Sequence, residues 1–419
     1  MRTARLQGRQ GGCVRKHEAT TGRCHEKRQY NDGADRRAVL HAGRGPPLTI
    51  HLSEVGLTVQ EEVRLDDIEL ELRPGQLYVV LGPASAGKTS LLRVIAGLER
   101  PTAGRILVDG VDMTGASPRR RNVAMVYRQA INYPAFTVHD NIAAPLRMQK
   151  MPKDDIDARV RHIASTLRIE SSLHRLPAEL PVEQQQRCAI ARALARESSL
   201  LLLDEPLADL DRKPREELRE ELRAIFETRD SIVVYGTAEP LEALAMGGTV
   251  AIMDGGRVLQ VGPASKIHHR PGSSAVARVF SHPPMNMIDV QVDRGMAVSE
   301  SGLAIPLSEK FATANRLRMT VGVRAEHLSL LPDGNHSIPI EGTVELSEIS
   351  GSETFVHVAQ GRTSWIVQLS GVHQHATGAS VTIYLDPSKI FVFGETGALE
   401  AFPAIDAQAL EGGGASWRE

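Results

Sequence analysis

The sequence predicts an α/β domain carrying a helical subdomain, followed by a small all-β domain. Three observations lead there. Up to about residue 284, short apolar runs alternate with segments of helical period, the pattern of a mostly parallel sheet covered on both faces. One of those runs, Leu77 to Leu81, stops at a glycine-rich octet that a helical segment continues. Past residue 284 the helical periods give way to strand-like runs separated by Gly and Asp turns, as in a small barrel or sandwich.

Order is expected from Leu48, where an Arg- and Gly-rich leader ends at Pro46 and Pro47. Leu77, Tyr78, Val79, Val80 and Leu81 form a buried strand that Gly82 turns. From Ser90 to Leu98 the spacing of Leu91, Leu92, Val94, Ile95 and Leu98 makes one helix face. Ile156, Val160, Ile163 and Leu167 recur at helical spacing after Pro152, a residue suited to a helix start. A further helix is expected from Val182 through Ala195. Leu200 to Leu203, Ile232 to Tyr235 and Val250 to Met253 read as buried strands. The all-β part offers Arg318 to Val323, Ile340 to Leu346, Thr354 to Val358, Trp365 to Leu369, Val381 to Leu385 and Ile390 to Phe393. The resulting division is a basic, disordered leader over 1–47, an α/β domain over 48–284 with its helical subdomain at about 135–195, a β domain over 285–402, and an unstructured tail over 403–419 that holds Gly412, Gly413 and Gly414.

A chain of 419 residues with 42% hydrophobic and 24% charged content has ample core for two or three domains. No run approaches the roughly 18 apolar residues of a membrane span. The formal charge of −2 conceals an asymmetry. Residues 1–47 hold eleven Arg or Lys against four acids, a surplus of seven that leaves a deficit of nine for the rest. Such a deficit is wrong for a surface that tracks nucleic-acid phosphates. The leader has no amphipathic period and no apolar core of a secretory signal, and its acids count against a transit peptide. The three cysteines are too few for a secreted disulfide framework. Cys13, His17, Cys24 and His25 match no zinc spacing, and Cys188 reads as a small core residue.

Gly82-Pro83-Ala84-Ser85-Ala86-Gly87-Lys88-Thr89 fits the phosphate-loop pattern, with the strand before it and the helix after it that the pattern requires. Gly82 and Gly87 let successive N–H groups converge at a helix N-terminus, where partial positive charge favours phosphate oxygens. Lys88 reaches the outer phosphates and the Thr89 hydroxyl ligates Mg²⁺, with Ser90 next in the loop. The strand Leu200 to Leu203 delivers Asp204 and Glu205 at its carboxyl end, where ligands gather in open α/β sheets. There Asp204 is expected to hold Mg²⁺ through water, and Glu205 to polarise the attacking water.

With Gln184-Gln185-Gln186-Arg187 ahead of that strand and Leu203-Asp204-Glu205-Pro206-Leu207-Ala208-Asp209-Leu210-Asp211 after it, the chain resembles ABC-transporter ATPases over roughly residues 48–402. It is most similar to the carbohydrate-importer group that includes the maltose ATPase. Val321-Gly322-Val323-Arg324-Ala325-Glu326-His327-Leu328 and Gly351-Ser352-Glu353-Thr354 look like that group's regulatory, OB-type (TOBE-like) domain. Met125-Val126-Tyr127, Ile131-Asn132-Tyr133-Pro134 and Tyr235-Gly236-Thr237-Ala238-Glu239-Pro240 resemble the branch associated with glycerol or similar polyols. The resemblance implies ATP and Mg²⁺ as cofactors, with Asp211 among the nucleotide-site residues. It also implies a homo- or heterodimer of ATPase subunits under two membrane permeases, peripheral on the cytoplasmic face of the inner membrane. A solute-binding protein is an indirect partner, and nucleic acid is not expected.

Against that pattern the chain departs at several positions. The family signature Leu-Ser-Gly-Gly-Gln is here Leu180-Pro181-Val182-Glu183-Gln184. Pro181 removes a hydroxyl and an N–H, and Val182 adds a side chain where backbone must approach closely. Glu183 is expected to set a carboxylate toward phosphates, where like charges at 4 Å cost about 4 kcal/mol at an effective dielectric of about 20; otherwise it turns to solvent and caps the helix. Arg128 stands at the Q-loop glutamine, with Gln129 one place later, and either a loop shift brings Gln129 into use or Arg128 faces phosphate. Ala238 stands at the switch histidine. These departures point to a heterodimer, in which this subunit contributes its phosphate loop, Asp204 and Glu205 to one composite site and a degenerate signature to the other. The alternative is a nucleotide-binding pseudoenzyme that serves as a structural subunit.

Overall fold

The computed structural model describes residues 49–332 and 336–403. The basic leader, with Cys13, His17, Cys24 and His25, and the glycine-rich tail beyond Pro403 lie outside the described residues.

The α/β part runs β1 (Ile50–Val59), β2 (Glu62–Leu72), β3 (Leu77–Leu81), α1 (Lys88–Ala96), β4 (Ala103–Val108), β5 (Val111–Asp112) and β6 (Val123–Val126). It continues through α2 (Val138–Met148), α3 (Lys153–Thr166), α4 (Val182–Ala195), β7 (Leu200–Asp204), α5 (Arg212–Glu227), β8 (Ile232–Thr237), α6 (Pro240–Met246), β9 (Thr249–Asp254), β10 (Arg257–Pro263), α7 (Ala264–His269) and α8 (Ser274–Val279). The central sheet has the order β10-β9-β3-β8-β7-β6 and is parallel except for the antiparallel edge strand β10. Its fully buried strands are the continuous apolar runs of the sequence, because a sheet covered on both faces has no polar side to alternate with.

The two faces are covered differently. Val79, Leu81, Leu201, Leu203, Val233 and Tyr235 pack with residues of α2 to α8. Tyr78, Val80, Leu200, Leu202, Ile232 and Val234 pack with α1 and a second, antiparallel sheet of order β2-β1-β4-β5. The helix expected from Ser90 to Leu98 starts and stops two residues earlier. Gly87 opens it at φ 96° and Gly97 closes it at φ 74°, both in the left-handed region that glycine tolerates.

The all-β part comprises β11 (Asn286–Asp293), β12 (Met296–Ser299), β13 (Ala304–Pro306), β14 (Leu317–Val323), β15 (Leu328–Ser329), β16 (Ile338–Ser350), β17 (Glu353–Gln360), β18 (Thr363–Ser370), β19 (Ser380–Leu385), β20 (Ile390–Phe393) and β21 (Leu399–Ala401). They form two all-antiparallel sheets, β13-β12-β11-β14-β20-β21 and β15-β19-β16-β17-β18, around a shared core that includes Trp365, Val321, Ile340 and Val358. The arrangement is the OB-like barrel the short strands predict.

Arg324, buried at 3% exposure, ties this barrel to the α/β part. Its guanidinium donates 2.5 Å to the main-chain oxygen of His268 and 3.0 Å to Ser281 Oγ, and it lies 5.4 Å from the Phe391 ring. The turn between β16 and β17 approaches the start of α5: a Cβ on Gly351, at φ 64°, would come within 2.4 Å of Arg212 Nη1.

Candidate nucleotide site

The phosphate loop is the connection from β3 to α1. Gly82 admits no side chain, since a Cβ there would meet the Met253 oxygen at 2.3 Å. Pro83, Ala84 and Ser85 are exposed along the loop, Ala86 is buried beneath it, and Ser85 is itself left-handed at φ 70°. A concave, outward-facing main chain at the start of a helix is the cradle that phosphate oxygens fit.

Lys88 is 4% exposed and folds back over this cradle. Its ammonium donates to the Gly82 and Pro83 oxygens at 2.7 and 2.9 Å and lies 3.1 Å from Glu205 Oε1. Thr89 Oγ1 donates to Asp204 Oδ1 at 3.0 Å. Consecutive residues at the helix start thus pair with consecutive carboxylates at the end of β7. Burial, partly offset by the Thr89 hydrogen bond and reinforced by the charge of Glu205, holds the Asp204 carboxyl above its usual range. A hydroxyl and a carboxylate oxygen side by side are the hard donors Mg²⁺ takes. Ser90 is buried behind them.

Glu205 sits at φ 47°, a region costly for a residue with a Cβ, by about 1–2 kcal/mol. Its N–H donates to the Gly236 oxygen at 3.0 Å, which holds the turn between β7 and the following loop. From this turn the carboxylate reaches Lys88.

Arg128 follows β6 and reaches the same carboxylate. Its Nη1 lies 3.3 Å from Glu205 Oε2, while Nε and Nη2 donate to Asp209 Oδ1 at 2.9 and 2.8 Å. Asp209 was contained in the sequence motif but carried no assigned role, because its partner lies 81 positions away. Gln129 is exposed and borders a cavity of about 210 Å³ shared with Val182, Gln185, Pro206 and Asp209.

At the signature position, α4 begins with Pro181 as its N-cap and no side-chain cap bond. Val182 is 61% exposed at the helix tip. Glu183, expected either to face phosphates or to turn to solvent as a cap, has a partner on its own helix. Its Oε1 accepts from Arg187 Nε at 2.9 Å, one helical turn on, and the buried Arg187 also pairs with Glu221. A buried guanidinium needs anionic partners, so the carboxylate lies along the helix toward Arg187. The i, i+4 spacing was a legible signal for this pair.

Asp211 is the exposed N-cap residue of α5 and makes no side-chain cap bond. Ala238 is exposed just past β8. Beneath it lies a network that the sequence did not reveal: Tyr235 Oη donates to Glu242 Oε1 at 2.9 Å, the Thr237 hydroxyl donates to Oε2, and burial raises the Glu242 carboxyl above its ordinary range. The Thr237 oxygen in turn accepts from Gly82 N–H at 3.3 Å, which connects this network to the phosphate loop.

Comparison with known proteins brings these features under one heading. A family model described as ABC transporter matches residues 65–208, and one described as TOBE domain matches residues 321–393. The trehalose/maltose import ATP-binding protein MalK of Thermococcus litoralis is 32% identical over 83% of this chain and 98% of its own length. The sn-glycerol-3-phosphate import ATP-binding protein UgpC of Salmonella typhimurium is 33% identical over 80% of this chain and 94% of its own length. The uncharacterized ABC transporter ATP-binding protein YcjV of Escherichia coli O6:H1 is 34% identical over 78% of this chain and 92% of its own length.

Proposed function

Because the chain belongs to the import ATP-binding proteins of ABC transporters that carry a C-terminal TOBE domain, we propose that it couples ATP hydrolysis to uptake of a carbohydrate or polyol, with a glycerol-type solute as the first candidate. The observation that carries this reading is the double pairing of Lys88 with Glu205 and Thr89 with Asp204. It brings a phosphate-binding cation, a hydroxyl, a metal-type carboxylate and a base into one cluster, the set that phosphoryl transfer to water requires. The names of MalK and UgpC support a sugar or glycerol-type cargo.

Gly82 to Ser90 hold the triphosphate, and Thr89 and Asp204 supply the oxygens for Mg²⁺, which when bound offsets phosphate charge. Lys88 turns from the loop carbonyls to the outer phosphates. Glu205 accepts a proton from the water whose oxygen attacks the terminal phosphorus, and the bond to ADP breaks as the new P–O bond forms. The domains act as an ATPase over 48–284, with a helical subdomain at about 135–195, and a regulatory barrel over 285–402.

The partner is a second ATPase subunit with an intact signature. Pro181 leaves the tip of α4 without the hydroxyl and N–H that would grip phosphate across a dimer, which favours a heterodimer with one productive site. Two membrane permeases complete the complex on the cytoplasmic face of the membrane, with a solute-binding protein beyond them. The segment after Arg128 supports such docking: Ile131, Tyr133 and Phe136 are 55%, 49% and 43% exposed, while Asn141 Nδ2 fixes the loop by donating to the Tyr133, Phe136 and Thr137 oxygens. Among the described residues no helix is long and apolar enough to cross a membrane.

Uptake of labelled glycerol, glycerol phosphate and maltose by cells with and without this chain tests the reading. Loss of uptake of one of them, restored by the intact gene, is the expected result; unchanged uptake of sugars and polyols alike would overturn the importer assignment. Purified alone, the chain should bind ATP yet turn over slowly, and homodimer turnover in the enzymic range of about 1 to 10³ per second would contradict the heterodimer.

A further inference from the structure

We propose that Arg128 is a positioning residue for hydrolysis, holding the Glu205 carboxylate in its working direction through a fork anchored on Asp209. This inference rests on the assignment of Glu205 as the group that takes the proton from water.

The Glu205 carboxylate is held at both oxygens, Oε1 by Lys88 at 3.1 Å and Oε2 by Arg128 at 3.3 Å. The two cations are not equivalent. Lys88 lies over the phosphate cradle, with the Gly82 and Pro83 oxygens as its other partners. A bound phosphate chain draws that ammonium to itself, so Lys88 cannot keep Glu205 aimed while nucleotide is present. Arg128 has no such competing duty in this geometry. Two of its nitrogens are fixed on Asp209 Oδ1, and because a guanidinium is planar with its donors at set angles, fixing two of them aims the third.

Stability does not explain the arrangement. Arg128 is 56% exposed and Asp209 40% exposed, and ion pairs that open to water contribute little to folding. What the pair does supply is direction at Glu205, whose left-handed backbone at φ 47° leaves the side chain dependent on outside partners. The same fork explains how an Arg can stand where the family carries an uncharged amide: its charge is committed to two carboxylates rather than presented to a metal ion.

The test uses the full chain in the assembled transporter, with ATP hydrolysis measured against ATP concentration for R128M, R128K, D209A, the R128M/D209A double variant and E205Q, and thermal unfolding followed for each. The expected result for R128M is a kcat lower by about tenfold or more, with KM for ATP within about twofold and an unchanged melting temperature. D209A should reproduce most of that loss although Asp209 makes no bond to Glu205, and the double variant should be no slower than R128M, since both break one linkage. R128K, with a single donor point, should recover only part. A wild-type kcat in R128M or in D209A, additive losses in the double variant, or a KM that rises in step with the loss would overturn the proposal, the last because it would mean that Arg128 grips nucleotide. E205Q separates the two levels. If E205Q is inactive and R128M is normal, only the positioning role fails; if E205Q keeps wild-type activity, the role of Glu205 fails first and this inference with it.

Discussion

Lys88 Nζ lies 3.1 Å from Glu205 Oε1, a buried ammonium closed onto the carboxylate that follows β7. The contact joins the phosphate loop to the Asp204-Glu205 pair, and among the described residues it stands beside two loop carbonyls as the lysine's partner. K88A should therefore lower ATP affinity by about ten- to a hundredfold, the worth of one charge-assisted hydrogen bond of about 1.5–3 kcal/mol. Titration with a fluorescent ATP analogue measures it, with unchanged thermal unfolding as the control for fold.

The signature can be repaired without disturbing the helix. Glu183 is engaged with the buried Arg187 and should be kept, whereas Pro181 and Val182 have exposed side chains at the tip of α4. P181S/V182G should raise ATPase activity of the assembled transporter about fivefold, as one regained hydrogen bond of about 1 kcal/mol would. Unchanged activity would mean that the second composite site is dispensable. Adding E183G should cost thermal stability, because it strips a partner from a buried guanidinium.

His268 sits between the α/β part and the barrel, and burial, with the nearby charge of Arg324, pushes its imidazole down to about 3. A base whose folded value lies below its unfolded value contributes stability that is present at neutral pH and is lost as pH falls through the unfolded value, near 6.5. The loss proceeds at up to about 1.4 kcal/mol per unit, less where solvent reaches the ring. Urea unfolding at pH 7, 6, 5 and 4 should show this slope in the parent and a shallower one in H268Q. Equal slopes would mean that the ring is protonated in the folded protein.

How much of this could be read from the sequence depended on distance along the chain. The phosphate loop and the Asp204-Glu205 pair were legible because their chemistry is written in adjacent residues, with a strand and a helix to frame them. The buried strands β3, β7, β8 and β9 were legible as apolar runs. The strand β11 is not among the expected strands although Ile288, Val290 and Val292 alternate with the polar Asp289 and Gln291 and Gly295, at φ 80°, marks the turn after it; that period of two was a legible signal. Arg128 could be flagged as a departure, but its partners lie 77 and 81 positions away, and nothing local announces them. The Glu242 network was equally hidden, since a carboxylate in an exposed-looking segment gives no sign that Tyr235 and Thr237 will close over it.

The central claim is that Glu205 carries the hydrolysis of ATP that drives uptake, and steady-state ATPase of the assembled transporter with E205Q in this chain measures it most directly. The account predicts a fall in kcat of about 10² to 10⁴, the usual worth of a positioned general base, with ATP binding kept within about threefold. ATP hydrolysis and solute uptake at the parent's rate in E205Q would contradict it.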